Sequence, residues 1–247
     1  MSDDTSGETV EGTLVNAAAV VLGGGAGLAI GRRVPERVRG IVMQGVGLAT
    51  VLIGVQMALQ VRNVVGLIVS LAAGGVLGEL LRIEDRLERL GALVQRRLGP
   101  SGTSGGFVQG FVTSSLLFCV GPMTLLGAIQ DGLGQPPVLL YTKSVLDGIS
   151  AVALAGALGA GVVVSAATVL VYQGGVTLLA GVVQQGMTPE VVREVTAVGG
   201  VLIFGLGLGI LEVRRVRVGN LLPALVVMGI VVALEPWWGV VRAVWRR

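Results

Sequence analysis

The sequence predicts an all-α integral membrane protein of about eight transmembrane helices, arranged as two inverted three-helix repeats flanking a central helix pair that contains a broken helix. Three observations carry this reading. Hydrophobic residues make up 53% of the 247 and charged residues only 13%, against about 25% charged in ordinary soluble domains, and the mean hydropathy is +0.84. Apolar stretches of the ~20 residues needed to cross a bilayer follow one another almost end to end. Glycine occurs 41 times, where average usage would give roughly 17. In lipid, such small residues let helix backbones approach closely.

Residues 1–11 form an acidic tail without the basic start of a signal peptide, so the first span, Gly12 to Ile30, is expected to insert itself. Arg32, Arg33, Arg37 and Arg39 follow around Pro35, and that loop is expected to be cytoplasmic. The second span runs from Gly40 to Leu59 and the third from Val64 to Leu81, with Glu79 read as an interfacial charge beside Arg82. Residues 12–81 thus make membrane repeat one. In the connector, residues 82–106, the apolar residues Ile83, Leu87, Leu90, Val94 and Leu98 recur at helical spacing, which predicts an amphipathic helix at the cytoplasmic surface. The run from Gly99 to Gly106 reads as a flexible link.

The central pair occupies residues 107–161: span four, interrupted at Gly121-Pro122, and span five, which holds Asp147. Repeat two, residues 162–235, offers spans from Val162, from Val192 to Leu211 and from Gly219 to Leu234, with Arg214, Arg215 and Arg217 between the last two. Residues 236–247, with Trp237, Trp238, Trp245, Arg242, Arg246 and Arg247, read as an interfacial tail.

The repeat rests on ordered matches. Val15–Val20 (VNAAAV) resembles Val164–Val169 (VSAATV), Gly24, Gly25 and Gly31 match Gly174, Gly175 and Gly181, and Pro35-Glu36 with Arg39 matches Pro189-Glu190 with Arg193. The copies start an odd number of spans apart, so they face opposite ways, and the arginine-rich loop moves from after the first span of one copy to after the second span of the other, as inversion requires. Many secondary transporters are built this way. Both termini are then expected outside; the basic C-terminal tail is the one departure from the positive-inside pattern.

Proline at position 122 deletes a backbone hydrogen bond and Gly121 relaxes the helix, and the freed groups must be satisfied by protein, water or ligand. Gly121, Pro122, Ser115, Cys119 and Thr124 therefore line either a healed kink or a solute path. Asp147 is a carboxylate inside an apolar span, where such groups pair or function. Lys143 lies four residues earlier on the same face and offers the plain pairing; otherwise Asp147 binds a cation or proton, with Lys143, Asp131 and Gln130 at the gate. Asn16 and Ser165 hold equivalent repeat positions and either bond across helices or line one path. Tyr172-Gln173, mid-span, is placed to plug or line the pathway.

With no His and one Cys, His-based triads, di-His metal sites and disulfides are excluded, and no cofactor, metal or catalytic residue is expected. A dyad of Ser114 or Ser115 with Lys143 has no spacing to fix it. The pI of about 9.7 reflects arginines in short loops, a topology signal and not a nucleic-acid footprint. The expected partners are the lipid bilayer and an unidentified small solute or ion, and the glycine faces leave room for a homo-oligomer.

GTLVNAAAVVLGGGAGL at the start, SLLFCVGPMTLLGAIQDG in the middle and LYTKSVLDGIS after it resemble the YdfK/YqgA family of bacterial inner-membrane proteins, a family of unknown function, over Gly12 to about Leu234. The resemblance implies a multi-pass plasma-membrane protein and supplies no activity. The residues themselves favour a small secondary transporter or channel over a structural or regulatory membrane protein that binds a partner. A water-soluble thiol reagent separates the two: labelling of Cys119 is expected if a water path reaches the break, and complete protection in every condition marks a packed core.

Overall fold

The computed structural model describes residues 10–31, 33–98 and 106–245. The start of the acidic tail, Arg32, the link from Gly99 to Gly105 and the terminal Arg246-Arg247 lie outside the described residues. The chain folds into helices α1 (Glu11–Gly31), α2 (Glu36–Ala58), α3 (Val64–Leu81), α4 (Ile83–Leu98), α5 (Phe107–Cys119), α6 (Pro122–Gly132), α7 (Val138–Leu158), α8 (Gly161–Leu178), α9 (Ala180–Gly186), α10 (Pro189–Ile210), α11 (Val218–Leu221) and α12 (Pro223–Trp245). Among the described residues six helices, α1, α2, α3, α7, α8 and α10, are long and apolar enough to cross a membrane, and Val218–Leu234 is a shorter apolar stretch. The expected break is present: α5 and α6 meet at 64°.

Local chemistry explains the boundaries. Asn63 Oδ1 accepts from the Gly66 N–H at 2.7 Å to start α3, and Thr188 Oγ1 accepts from the Val191 N–H to start α10 ahead of Pro189. Arg82, at φ 50°, turns the chain out of α3 into α4. At the break, Pro122 supplies no N–H, the Val120 N–H still reaches Leu116 O at 2.9 Å, and Thr124 Oγ1 donates to Phe118 O at 3.1 Å. Part of the backbone freed by the bend is thus satisfied locally, as a low-dielectric surrounding demands.

Glycine decides which helices touch. A Cβ on Gly23, Gly27 or Gly31 of α1 would overlap the carbonyl oxygens of Gly148, Val152 and Gly156 on α7. The offset is constant, so these two helices run parallel. In contrast, Gly47 faces Leu211, Gly54 faces Phe204 and Gly207 faces Val51, which makes α2 and α10 antiparallel. Gly74 against Ala224 and Gly78 against Asn220 do the same for α3 and the α11–α12 segment.

These directions sort the helix ends into two groups. At one end lie the starts of α1, α3, α7 and α10 and the ends of α6 and α8; Asp131 on α6 bonds the start of α1 there, and Glu194 on α10 bonds the start of α3. At the other end Gly161 at the start of α8 presses on Phe107 and Phe111 of α5, and Glu84 on α4 accepts from the Gly219 N–H at 2.7 Å. The broken pair therefore reaches from one end of the bundle to the other. Arginines gather at the second end, on the α1–α2 loop, on α4 and on the α10–α11 loop, whereas Arg62 and Arg193 lie at the first. Below, these are the network end and the arginine-rich end.

Helix α5 stands between two apolar clusters, giving Phe118 to one with Val20, Leu154 and Val169, and Leu116 to the other with Val198, Leu202 and Met228. The structure departs from the sequence reading in several places. Span six is divided into α8 and α9 at Leu179, and α12 continues without interruption to Trp245 where a separate tail from residue 236 was expected. Glu79 keeps the exposed position expected of it and is tied to Arg217 at 3.0 Å and to Asn220 Nδ2 at 2.7 Å. On α4, Leu90 is exposed together with Leu93, while Glu84 is buried by α11.

Gly27→Leu is expected to destabilise the protein by about 1–3 kcal/mol, the usual cost of overpacking. Gly25→Leu, two residues away on the opposite side of α1 with open space around it, should change stability by less than about 0.5 kcal/mol. Thermal unfolding of the two purified variants in one detergent checks the contrast.

Candidate functional site

Polar side chains from four helices meet at the network end. Lys143 and Asp147, four residues apart on α7, form a buried ion pair through Asp147 Oδ2. The same oxygen accepts from Asn16 Nδ2 of α1 at 3.1 Å, and Asn16 Nδ2 also donates to Gln173 Oε1 of α8 at 3.0 Å. Gln173 Nε2 donates to Thr13 Oγ1 at 3.0 Å. Thr177 Oγ1 gives its proton to Gln173 O at 3.0 Å, which leaves the Thr13 hydroxyl to donate to Thr177 Oγ1 at 3.1 Å. Both Asn16 N–H groups and both threonine hydroxyls in this chain are therefore assigned as donors. By the helical rise, Asn16 lies about 8 Å and Asp147 about 14 Å beyond the starts of their helices, well inside the spans.

Asp131 closes the network from α6. Its two carboxylate oxygens accept from the Gly12 and Thr13 N–H groups, each at 3.1 Å. These are donors that α1 cannot satisfy within itself, and they lie at the positive end of its dipole. Glu194 repeats the device on α10, with Oε1 accepting from the Arg62 N–H at 3.1 Å and Oε2 from the Asn63 N–H at 3.3 Å.

One atom breaks the pattern of satisfaction. A carboxylate can only accept, so the Asn16 amide must turn its NH2 toward Asp147, and its Oδ1 then faces away. Asn16 is fully buried, and Oδ1 has no hydrogen-bond partner among the described residues. A buried acceptor left unpaired costs about 1–3 kcal/mol, which a water, a proton-bearing ligand or a cation would return.

The structure brings Asn16, Asp131, Lys143 and Asp147 of the sequence candidates together and leaves the others outside the network. Ser165 donates to Val162 O of its own helix at 2.6 Å, Ser115 donates to Thr168 Oγ1 at 3.0 Å, and Ser114 donates to Gly110 O at 2.5 Å. Gln130 is half-buried beside Asp131. Cys119, Gly121 and Pro122 line a separate cavity of about 400 Å³ with Tyr172 of α8 and the apolar faces of α10 and α12, while Thr124 spans the break. Gln173, next to Tyr172, points into the network instead. Sequence reading gave no role to Thr13, Thr177 or Glu194. The signal was spacing: Thr13 and Asn16 are three apart and Gln173 and Thr177 four apart, each pair on one face of an apolar helix.

Residues 11–233 match the family described as "Protein of unknown function (DUF554)". The chain is 30% identical over 225 residues to the uncharacterized membrane protein YdfK of Bacillus subtilis (strain 168), a similarity that covers 90% of this chain and 95% of the relative. It is 31% identical over 235 residues to the uncharacterized protein YqgA of Escherichia coli (strain K12), covering 93% and 99%. No solved structure matches.

Asp131→Ala should cost about 1–3 kcal/mol by leaving two buried N–H groups short of their acceptor. Asp131→Asn, which keeps one acceptor oxygen, should lose about half as much. Chemical or thermal unfolding of the two variants measures the difference.

Proposed function

We propose that this chain, which belongs to the DUF554 family, moves a small solute or ion across a bacterial plasma membrane, with the Lys143–Asp147 pair as its switch. That it is a polytopic membrane protein follows from its helices and its relatives. The transport reading is carried by one observation: a buried ammonium–carboxylate pair deep in a span, bonded to an amide whose Oδ1 has no partner. Charges at membrane depth are expensive and mark ion or proton pathways when they are not fully committed to structure.

Two further features support the reading. The helices matched as repeats in sequence, α1 with α8, α2 with α10 and α3 with α12, pack against one another, and the last two pairs run antiparallel, as a two-fold axis in the membrane plane would arrange them. The arginine-rich end then faces the cytoplasm under the positive-inside rule, which sets both chain ends outside. No bond-making chemistry is assigned, and the hydroxyls of Ser114 and Ser115 are spent on Gly110 O and Thr168 Oγ1.

A second reading, a non-transporting structural or regulatory protein, is favoured by the completeness of the rest of the network, in which Asn16 Oδ1 is the one unpaired atom among Thr13, Asn16, Gln173 and Thr177.

The test uses purified protein in liposomes that carry a pH-sensitive dye and a panel of small solutes. The wild type is expected to give a solute-dependent pH change or dye-independent uptake. Asp147→Asn alone strands a buried ammonium, which can cost about 3–5 kcal/mol, so the informative variant is Lys143→Gln with Asp147→Asn. That pair of changes should leave the unfolding midpoint near wild type and abolish flux. Unchanged flux in a folded double variant would remove Asp147 from the mechanism, and wild-type liposomes silent toward the whole panel would favour the structural reading.

A further inference from the structure

A cavity of about 570 Å³ opens at the arginine-rich end, between α4, α5, the last turns of α10 and the α10–α11 loop. Its volume falls in the range of small-molecule sites. It stands at the opposite end of the bundle from Lys143 and Asp147, so it is no part of the network. Two independent properties make it more than a surface hollow.

The first is its charge. Glu84, Glu88 and Glu212 line it against a single guanidinium, Arg215. That guanidinium is already paired with Glu88, and Arg217 is drawn away to Glu79. Among the lining side chains the carboxylates outnumber the guanidinium three to one. Burial pushes the Glu84 carboxyl up from its ordinary range, with the Gly219 N–H and then Arg215 pulling it back. A cation placed beside it would act in the same sense as those groups.

The second is Thr113. Ser114, Ser144, Thr177 and Thr196, the buried hydroxyls on neighbouring positions and helices, each donate to a carbonyl one turn back on their own helix. Thr113 is 8% exposed, makes no hydrogen bond among the described residues and lines the cavity between the acidic rim and an apolar floor of Leu116 and Leu206. A hydroxyl held this way is an open acceptor and donor facing the space.

We propose that this cavity is a binding site for a small organic cation, a primary ammonium on a short apolar body, with the carboxylates around the ammonium, Thr113 accepting from it and the apolar body on Leu116 and Leu206. The ligand class follows from the lining alone: an acidic rim, one unspent hydroxyl and an apolar floor. Binding here does not depend on the transport reading, and its test involves no flux.

The experiment is isothermal titration and thermal unfolding of the full-length protein in a non-ionic detergent, with n-butylammonium as probe and butanesulfonate, the same apolar body with an anionic head, as control. Saturable heat and a rising unfolding midpoint are expected with the ammonium and neither with the sulfonate. Thr113→Val should weaken binding about three- to ten-fold, the worth of one hydrogen bond, and Glu212→Gln, at the exposed rim, about two- to five-fold. The rim variant keeps the proposal exposed to failure if Thr113→Val does not fold. Equal response to both probes, no saturable response to the ammonium, or unchanged affinity in the rim variant would overturn it, whatever the liposome experiments give.

Discussion

Helix backbones can touch only where no Cβ stands between them, and the arrangement of this bundle depends on that contact. Gly23, Gly27 and Gly31 let α1 lie directly on α7, and the register they impose carries up the pair to set Gly12 against Pro137 and Leu140. Only in that register do Thr13 and Asn16 come within hydrogen-bond distance of groups on α6, α7 and α8. The polar network is therefore held by an apolar seam below it. In lipid, where apolar surface gains nothing by leaving water, close packing and hydrogen bonds between helices supply the attraction, and here the two are stacked along one helix pair.

The same physics explains what could be read from the sequence. The bounds of α1, α3 and α10 were legible because long apolar runs stop at arginine, proline or asparagine. The break at Gly121-Pro122 was legible because proline removes a donor wherever it falls. The division of α8 from α9 was not, since no proline or charge marks Leu179; it lies where Gly132 of α6 presses on Thr177 O and Ala180, a contact between segments far apart in the chain. Lys143 and Asp147 announced themselves by charge and spacing. Thr13 and Thr177 did not, because a hydroxyl in a span is common and its meaning depends on which helix it meets.

Glu194 shows the limit from another side. In sequence it is the neighbour of Arg193 in a matched repeat motif, and its ion pair with that arginine, at 3.5 Å, is the lesser of its contacts. Its larger commitment is to the backbone at the start of α3. Asp131 is spent in the same way on α1. An acidic residue near one span's end that caps another span leaves no periodic or compositional mark, because the partner is a backbone N–H that every residue but proline carries.

The two aspartates of the network are consequently neutralised by different means, and the difference bears on function. Asp131 faces backbone donors and a helix dipole, whose partial charges are fixed by the fold and do not titrate. Asp147 faces the Lys143 ammonium, a charge carried on a long side chain and not on the fixed backbone. Asn16 joins them: its NH2 holds Asp147, and through Gln173 and Thr13 the bonded chain reaches the residue whose N–H rests on Asp131. Any movement of the Asp147 carboxylate disturbs one of the two acceptors that orient this amide. With Oδ1 unpaired, the amide is the point at which a wholly structural core would have been expected to be complete.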